Sequence, residues 1–531
     1  MLGLARPAAA GGRLPSRDIV TDHPTTLPEL AGALPGARLF GAPDAGVQVT
    51  DVTHDSRAAG PGVLVACRPG LRVDGHDFAP QAVTAGTPAL LVERVLDLDI
   101  PQVAVDDVAA ALGPAAALVH GHPSRTLTLL GVTGTNGKTT TAFLLEAALR
   151  AAGARTGLVG TIRTQVADEV VEGIRTTPEA TDLQRLLHRM VDTGVSAAAM
   201  EVSSHGLTLG RVAGTGFAAA AFTNLSQDHL DFHPDLAAYE AAKTTLFTAG
   251  YTEVAVVNTD GAAGGRIARA ARREGLRVVR VSTRAGRGGQ ADAWADGIAL
   301  GPSGSTFTAH LGADVAPVRM TLRLPGAFNV ANALLALATA AAAGTAPEAA
   351  AAGIAALAGV PGRMEAVDAG QPFGVMVDYA HTPDSVDNVL RAARELTTGR
   401  VIVVLGCGGD RDPGKRPHMG RAAAALADLA VFTDDNPRGE DPQVILDALA
   451  AGAATVAGAR WRVIGDRRAA IAEALNAAGP GDVVIIAGKG HETCQEADGR
   501  REPFDDRTVA RELLRGGDRA TTPQSLTGGR P

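Results

Sequence analysis

The sequence predicts an α/β protein of three domains: a small N-terminal α/β domain, a central α/β domain with a phosphate-binding P-loop, and a C-terminal Rossmann-like α/β domain. Three observations predict it. The chain has 531 residues, and at ~150 residues per domain this suggests about three or four domains. Apolar runs of strand length alternate with helical stretches over most of it, the pattern of parallel sheets covered by helices. A glycine-rich turn, GVTGTNGKTTT from Gly131 to Thr141, sits between one such strand and a helix.

The N-terminal domain, residues 1–125, opens on a stretch that reads as a flexible tail to about residue 18. It continues as short apolar runs separated by turns, PGVLVACRPG and TPALLVE among them, and carries the polar cluster Asp51 to Arg57. In the central domain, 126–359, the strand LTLLGVT leads into the glycine-rich turn. A helix follows in which Ala142, Leu145, Leu149 and Ala152 share one face and Gly153 is the stop. The strands VSAAAMEV, FAAAAFTNL and EVAVVNTD each end in polar residues, where an open parallel sheet holds its ligands. Ala285 to Gly297 reads as a loop or hairpin insertion, and Ala333 to Ala343 as a packed helix ending at Gly344. The C-terminal domain, 360–531, repeats the alternation with FGVMVDYAH, RVIVVLGCGGD, DLAVFTDDNPR and DVVIIAGKGHE, and ends in a tail of about 13 residues.

Composition excludes several classes. Hydrophobic residues make up 46% and charged ones 20%, too apolar for a disordered chain, while only 3% aromatics means an interior of Ala, Val and Leu. A net charge of -8 argues against a general nucleic-acid or anionic-membrane binder. Cys67, Cys407 and Cys494 are far apart with no CxxC pair, so neither a disulfide framework nor a zinc site is indicated. No apolar run approaches the ~20 residues that span a bilayer, and Pro and Gly interrupt the first residues before a signal sequence forms. The expected location is the cytoplasm.

The glycine-rich turn carries the strongest chemical signal. Backbone N–H groups of Gly134, Thr135, Asn136 and Gly137 can close around phosphate oxygens at a helix N-terminus. Lys138 adds a point charge, the Thr139 hydroxyl can ligate Mg2+, and Thr140 completes the run. The turn departs from GxxxxGK[ST] in having Val132 where the first Gly belongs. Glu201 and His229, at the ends of successive strands, can hold a metal beside the phosphates, with Lys243 downstream in YEAAK.

In order, GVTGTNGKTTT, EVSSHGL, NLSQDHLDFH, YEAAK, LPGAFNVANA, GVPGRME, VDYAHTPDS, GCGGDRDPGKRP, TDDNPR and GKGHE resemble the Mur ligase family over about Val52 to Asp506, and within it the enzymes that add diaminopimelate to the peptidoglycan precursor. The resemblance implies that ATP phosphorylates the side-chain carboxylate of D-glutamate in UDP-N-acetylmuramoyl-L-alanyl-D-glutamate. The amine of diaminopimelate then attacks the acyl phosphate. It implies ATP phosphates and Mg2+ on Lys138 and Thr139, metal on Glu201 and His229, and Lys243 carried as a carbamate, an anionic oxygen ligand. Asn329 and Asn332, at i and i+3 on one helix face, would be ATP contacts, joined by Arg363 and Asp378 from the third domain. Ser56 would contact the uridine diphosphate, and Thr176, Thr177, Ser203 and Arg211 the muramoyl dipeptide. Many relatives carry Gln two residues before that arginine; this chain has Leu209.

For the amino acid, the guanidinium of Arg438 in DNPR suits the distal carboxylate through two parallel hydrogen bonds. Asp435 and Asn436 suit the distal ammonium, and Arg411, Gly488 and Glu492 lie nearby by resemblance. The expected partners are these small molecules, with no nucleic acid and no membrane, and the expected state is a monomer. Two alternatives share the phosphate loop: another Mur-type or folylpolyglutamate-type ligase, and a P-loop ATPase without ligase activity.

Overall fold

The computed structural model describes residues 24–41, 46–70, 73–173, 175–284, 291–301 and 304–516. Both expected tails, and residues 285–290 of the glycine-rich stretch, lie outside them. The chain divides into two compact units, Met1–Val360 and Pro361–Pro531.

The first unit contains two principal sheets. The smaller has five strands in the order Arg38–Phe40, Gln102–Ala104, Leu90–Val92, Val63–Ala66, Asp51–Thr53, parallel except at its first pair. Helix Val108–Val119 packs on it through Val108, Leu112, Ala115 and Val119.

The larger sheet has eleven strands. Its parallel core runs Thr156–Val159, Ala197–Glu201, Thr128–Thr133, Ala219–Phe222, Val254–Asn258, Arg277–Ser282, Ala293–Gly301. Antiparallel hairpins extend it at both edges, Arg163–Val166 with Glu169–Glu172 at one and Gly304–His310 with Val318–Leu322 at the other. Ala293 to Gly297 thus lies in the last core strand, which is parallel to Arg277–Ser282 on one side and antiparallel to Gly304–His310 on the other. Alternation within 304–310, buried at Ser305, Phe307 and Ala309, shows that one side packs on the core and the other faces water.

The core strands are continuous buried runs such as AAAME and AAAF, as both faces of a parallel sheet are covered. Helix Lys138–Ala151 follows the phosphate loop, and Gly153 at φ 89° supplies the left-handed turn that ends it. Against it lie the alanine-rich helix Ala327–Ala342 and helix Pro347–Ala356. The packing is close enough that a Cβ on Gly353 would overlap the Ala147 carbonyl.

The two sheets of this unit are tied by charge. Arg185, on helix Ala180–Asp192, donates to Asp51 Oδ2 at 2.9 Å and to Oδ1 at 3.0 Å, and His120 lies 3.1 Å from the same carboxylate. Burial opposes ionisation of Asp51, but these two partners outweigh it and hold the carboxyl below its usual range.

The second unit is a doubly wound sheet ordered Glu365–Ala366, Gly374–Asp378, Val483–Ala487, Val401–Leu405, Leu429–Phe432, Trp461–Val463, all parallel but the first pair. Its helices Lys415–Leu426 and Pro442–Ala454 approach closely: a Cβ on Gly420 would overlap the Leu449 carbonyl, and one on Gly452 the Pro417 carbonyl. Arg467, fully buried, makes two 2.7 Å bonds to the equally buried Asp506 and donates to the carbonyls of Asp434 (3.2 Å) and Ala487 (2.9 Å). One ion pair therefore ties together the segments at the ends of the two strands that flank Val401–Leu405, just before Asp435 and just before Gly488. Among the described residues no helix is long and apolar enough to cross a membrane.

Candidate active site

In the first unit the phosphate loop leaves strand Thr128–Thr133 at the sheet's C-terminal edge and enters the helix at Lys138. Gly134 lies at φ 146° against Thr223, where a Cβ would clash, so a residue without one is required there. The neighbouring segment holds the loop in place: the Asn136 N–H donates to Asn224 Oδ1 at 3.0 Å, the Thr135 hydroxyl to the Ser226 carbonyl at 3.2 Å and Thr223 Oγ1 to the Asn136 carbonyl at 2.6 Å. Lys138 Nζ folds onto the loop carbonyls of Gly134 (2.9 Å) and Thr135 (2.8 Å).

The expected acid meets the loop at Glu201. Its carboxylate accepts from the Thr139 hydroxyl at 2.9 Å, the Thr161 N–H at 2.8 Å and the Thr161 hydroxyl at 3.2 Å. A carboxylate has about four acceptor sites, so one remains for a cation beside the Thr139 hydroxyl, and both are hard oxygen donors of the kind Mg2+ selects. Among the described residues no group of three or more His, Cys, Asp and Glu side chains gathers as a metal cage.

Lys243 stands in the same place, completely buried, on helix Leu236–Thr244. Its Nζ donates to the Gly134 carbonyl at 2.7 Å, the carbonyl that Lys138 also uses, and lies 4.3 Å from the Tyr239 ring centroid. Burial, reinforced by the Lys138 charge, pushes the amine well below the usual lysine range. A neutral amine in such a position is a nucleophile. His229 adopts φ 55°, rare outside Gly, with Nε2 3.4 Å from Asp228 and its ring 4.8 Å from that of His205.

Around the end of strand Ala197–Glu201, Thr177 Oγ1 donates to the Glu201 carbonyl at 3.0 Å and lies 3.1 Å from Ser203 Oγ. Thr176 Oγ1 meets Thr161 Oγ1 at 2.9 Å. Arg211 pairs with Glu179 at 2.7 Å and reaches the Thr177 carbonyl at 3.3 Å. Leu209 caps the short helix Ser204–Thr208, half-buried. Ser56 is on the turn Ser56–Ala58 after the strand of Asp51. Asn329 and Asn332, both buried on helix Ala327–Ala342, are bonded to each other at 3.2 Å, and Asn332 crowds Gly137.

The second unit carries a separate constellation. Asn436 Nδ2 donates to Glu492 Oε2 at 2.8 Å, and a Cβ on Gly488, which sits at φ 110°, would collide with the Asp435 carboxylate. Burial, with Asp435 beside it, raises the Glu492 carboxyl. Arg438 is held at φ 56° by a bond from its N–H to the Glu496 carbonyl (2.9 Å), and its guanidinium reaches the Gly409 carbonyl at 2.7 Å. Arg411, on the loop after Gly409, is exposed. Asp378 accepts from the N–H groups of Met364 and Ala380, both at 2.8 Å, and burial raises its carboxyl. The Arg363 guanidinium lies over the Tyr379 ring at 4.4 Å.

Sequence reasoning assigned no role to Thr161, Asn224, Ser226 or Lys489. Asn224 and Ser226 lie inside NLSQDH and Lys489 inside GKGHE, so position within the motifs was an available signal; Thr161, just after strand Thr156–Val159, lies in none of the motifs and offered none.

Models of the Mur ligase family match three stretches: the catalytic-domain model at residues 48–128, the middle domain at 132–340 and the glutamate ligase domain at 362–490. A Streptomyces coelicolor protein named UDP-N-acetylmuramoyl-L-alanyl-D-glutamate--2,6-diaminopimelate ligase is 48% identical over 500 residues, covering 92% of this chain and 96% of the relative. A Bacillus licheniformis protein of the same name is 44% identical, covering 88% and 94%. A solved structure with that name superposes with a TM-score of 0.68 at 31% identity, covering 93% of this chain and 99% of the other.

Proposed function

This chain belongs to the Mur ligase family, and on that premise we propose that it is an ATP-dependent amide ligase joining diaminopimelate to the D-glutamate side-chain carboxylate of UDP-N-acetylmuramoyl-L-alanyl-D-glutamate in peptidoglycan precursor synthesis. The observation that carries this reading is the meeting of Lys138, the Thr139–Glu201 pair and buried Lys243 around one phosphate loop. The γ-phosphoryl of ATP passes to the glutamate carboxylate and ADP leaves. The diaminopimelate amine then displaces phosphate and loses a proton to give the amide. Donor and acceptor are both anionic, so Lys138 and the loop N–H groups of Gly134 and Gly137 hold the phosphates against that repulsion, while the N–H groups of Thr135 and Asn136, bonded to Asn224, brace the loop. Thr140 continues the loop into the helix.

Mg2+ would be held by the Thr139 hydroxyl, Glu201, His229 and a carbamylated Lys243, and when bound it neutralises phosphate charge. Lys243, as a neutral amine, can add CO2 and become that oxygen ligand. Asn329, Asn332, Arg363 and Asp378 contact ATP. Ser56, Thr176, Thr177, Ser203 and Arg211 contact the UDP-sugar peptide. Arg438, with Arg411, takes the distal carboxylate of diaminopimelate, and Asp435, Asn436 and Glu492 line the ammonium side with Gly488 giving room. In the division at 1–125, 126–359 and 360–531 the UDP-sugar peptide lies across the first two domains, the second supplies the phosphate loop for ATP and the third the amino-acid site. The enzyme acts in the cytoplasm as a monomer. A coupled phosphate-release assay with a panel of amino acids tests the reading: release is expected with diaminopimelate and the UDP-dipeptide together. Release without the dipeptide would indicate a bare ATPase, and release with glutamate and a folate a folylpolyglutamate-type ligase.

A further inference from the structure

The geometry points to Lys489 as a positioning residue for amino-acid selection: we propose that its buried ammonium holds Asn436 and Glu492 in the arrangement that receives the distal ammonium of diaminopimelate. The inference rests on the amino-acid site proposed above.

Lys489 follows Gly488 at the end of strand Val483–Ala487, and its side chain has no exposed surface. Its Nζ donates to Asn436 Oδ1 at 2.9 Å and to Glu492 Oε2 at 3.0 Å. Asn436 Oδ1 also accepts the Glu496 N–H at 3.0 Å. An amide oxygen has two lone pairs, and both are now engaged. Asn436 therefore has no acceptor left for a substrate ammonium, and its Nδ2 is directed onto Glu492, 2.8 Å away. Asn436 acts through Glu492, and Lys489 fixes both.

Charge gives the arrangement its purpose. Asp435 and Glu492 together would present two negative charges to a single ammonium in a mostly dry site, and like charges so placed push one carboxyl to protonate. Lys489 brings the sum of the three to one negative charge, the complement of one ammonium, while Arg438 faces the carboxylate. Burial and Asp435 push the Glu492 carboxyl up, and Lys489 and Asn436 pull it down. The other charge turned toward Glu492 is Arg467, from helix Arg467–Ala477, itself neutralised by Asp506. His491, next in the loop, is depressed to about 3 by burial and stays neutral.

The test compares wild type with Lys489→Met, Glu492→Gln and the double variant in the full-length enzyme, measuring kcat and KM for diaminopimelate between pH 6 and 9 at saturating ATP and UDP-dipeptide. Without Lys489 the Glu492 carboxyl rises further, so that it protonates at higher pH than in the wild type and there loses its hold on the ammonium. Lys489→Met should therefore raise KM for diaminopimelate about tenfold or more at pH 7, the scale of a lost charged hydrogen bond. Its acid limb should shift to higher pH, so that the defect shrinks toward pH 9, with KM for ATP unchanged. The double variant should be no worse than Glu492→Gln alone, since both changes break one interaction. If Glu492→Gln leaves KM for diaminopimelate unaltered, the assignment of the amino-acid site falls and takes the inference with it. If Glu492→Gln raises KM while Lys489→Met keeps the wild-type pH profile, or the two effects simply add, the inference alone is overturned. Lys489→Gln, which retains a donor without the charge, carries the same pH test should the methionine variant not fold.

Discussion

Asp506→Ala removes the counter-charge from Arg467, a guanidinium with no exposed surface. Two 2.7 Å bonds disappear, leaving only the carbonyls of Asp434 and Ala487 as partners. Breaking a buried pair from one side costs about 3 to 5 kcal/mol, because the remaining charge cannot reach water. At ~1.4 kcal/mol per factor of ten, the unfolded population of the second unit should rise roughly 100- to 4,000-fold. Arg467→Met with Asp506→Leu removes both charges. It should lose only about 1 to 3 kcal/mol, chiefly from the two carbonyls left without a donor. The chain has two tryptophans, Trp294 and Trp461. In a Trp294→Phe background, Trp461 fluorescence during urea titration reports on the second unit alone. Since Asp434 and Ala487 immediately precede Asp435 and Gly488, KM for diaminopimelate should rise in the single variant more than KM for ATP. A loss under 1 kcal/mol for Asp506→Ala, or a double variant as unstable as the single, would refute the argument.

Lys138→Ala should cut ligation roughly 100-fold or more while the chain stays folded, through loss of charge stabilisation at the transferring phosphoryl; unaltered turnover in a steady-state phosphate assay would remove the phosphate-loop role. Arg438→Ala should lower kcat/KM for diaminopimelate by about 2 to 5 kcal/mol, roughly 30-fold to several thousand-fold, with ATP affinity little changed. Wild type should use lysine poorly, because that substrate leaves the guanidinium without a carboxylate, and equal use of both amino acids would reduce DNPR to a turn. Lys243→Ala should lose activity that short carboxylic acids partly restore, and 13C-bicarbonate should give the wild type a carbamate signal that this variant lacks; a labelled-CO2 experiment without that signal in active enzyme counts against the carbamate.

What the sequence disclosed was local. GVTGTNGKTTT could be read as a phosphate loop because its glycines, lysine and following helix are contiguous, and AAAME or VIVVL as buried strands because both faces are apolar. The edge hairpins were harder, since Arg163–Val166 and Glu169–Glu172 mix polar and apolar residues and gain their strand character from pairing. Long-range partners left no trace along the chain. Asp51 and Arg185 lie 134 positions apart, Arg467 and Asp506 39 apart, and neither pair has a spacing rule that would join them. The contacts of Lys489 with Asn436 come likewise from the meeting of two strand ends, which motif order alone does not specify.

The glycines at 353, 420 and 452 let helix backbones come closer than any side chain would allow, and this inverts the usual vulnerability of an interior. A core of large residues suffers from truncation, which opens holes that neighbours fill poorly. Interfaces already at backbone contact have little left to truncate, and a single added methyl must separate two helices along their length. Sequence drift at such places is therefore one-directional: each position can be enlarged only after its neighbours have moved apart, so close packing here resists change more through sterics than through lost cohesion.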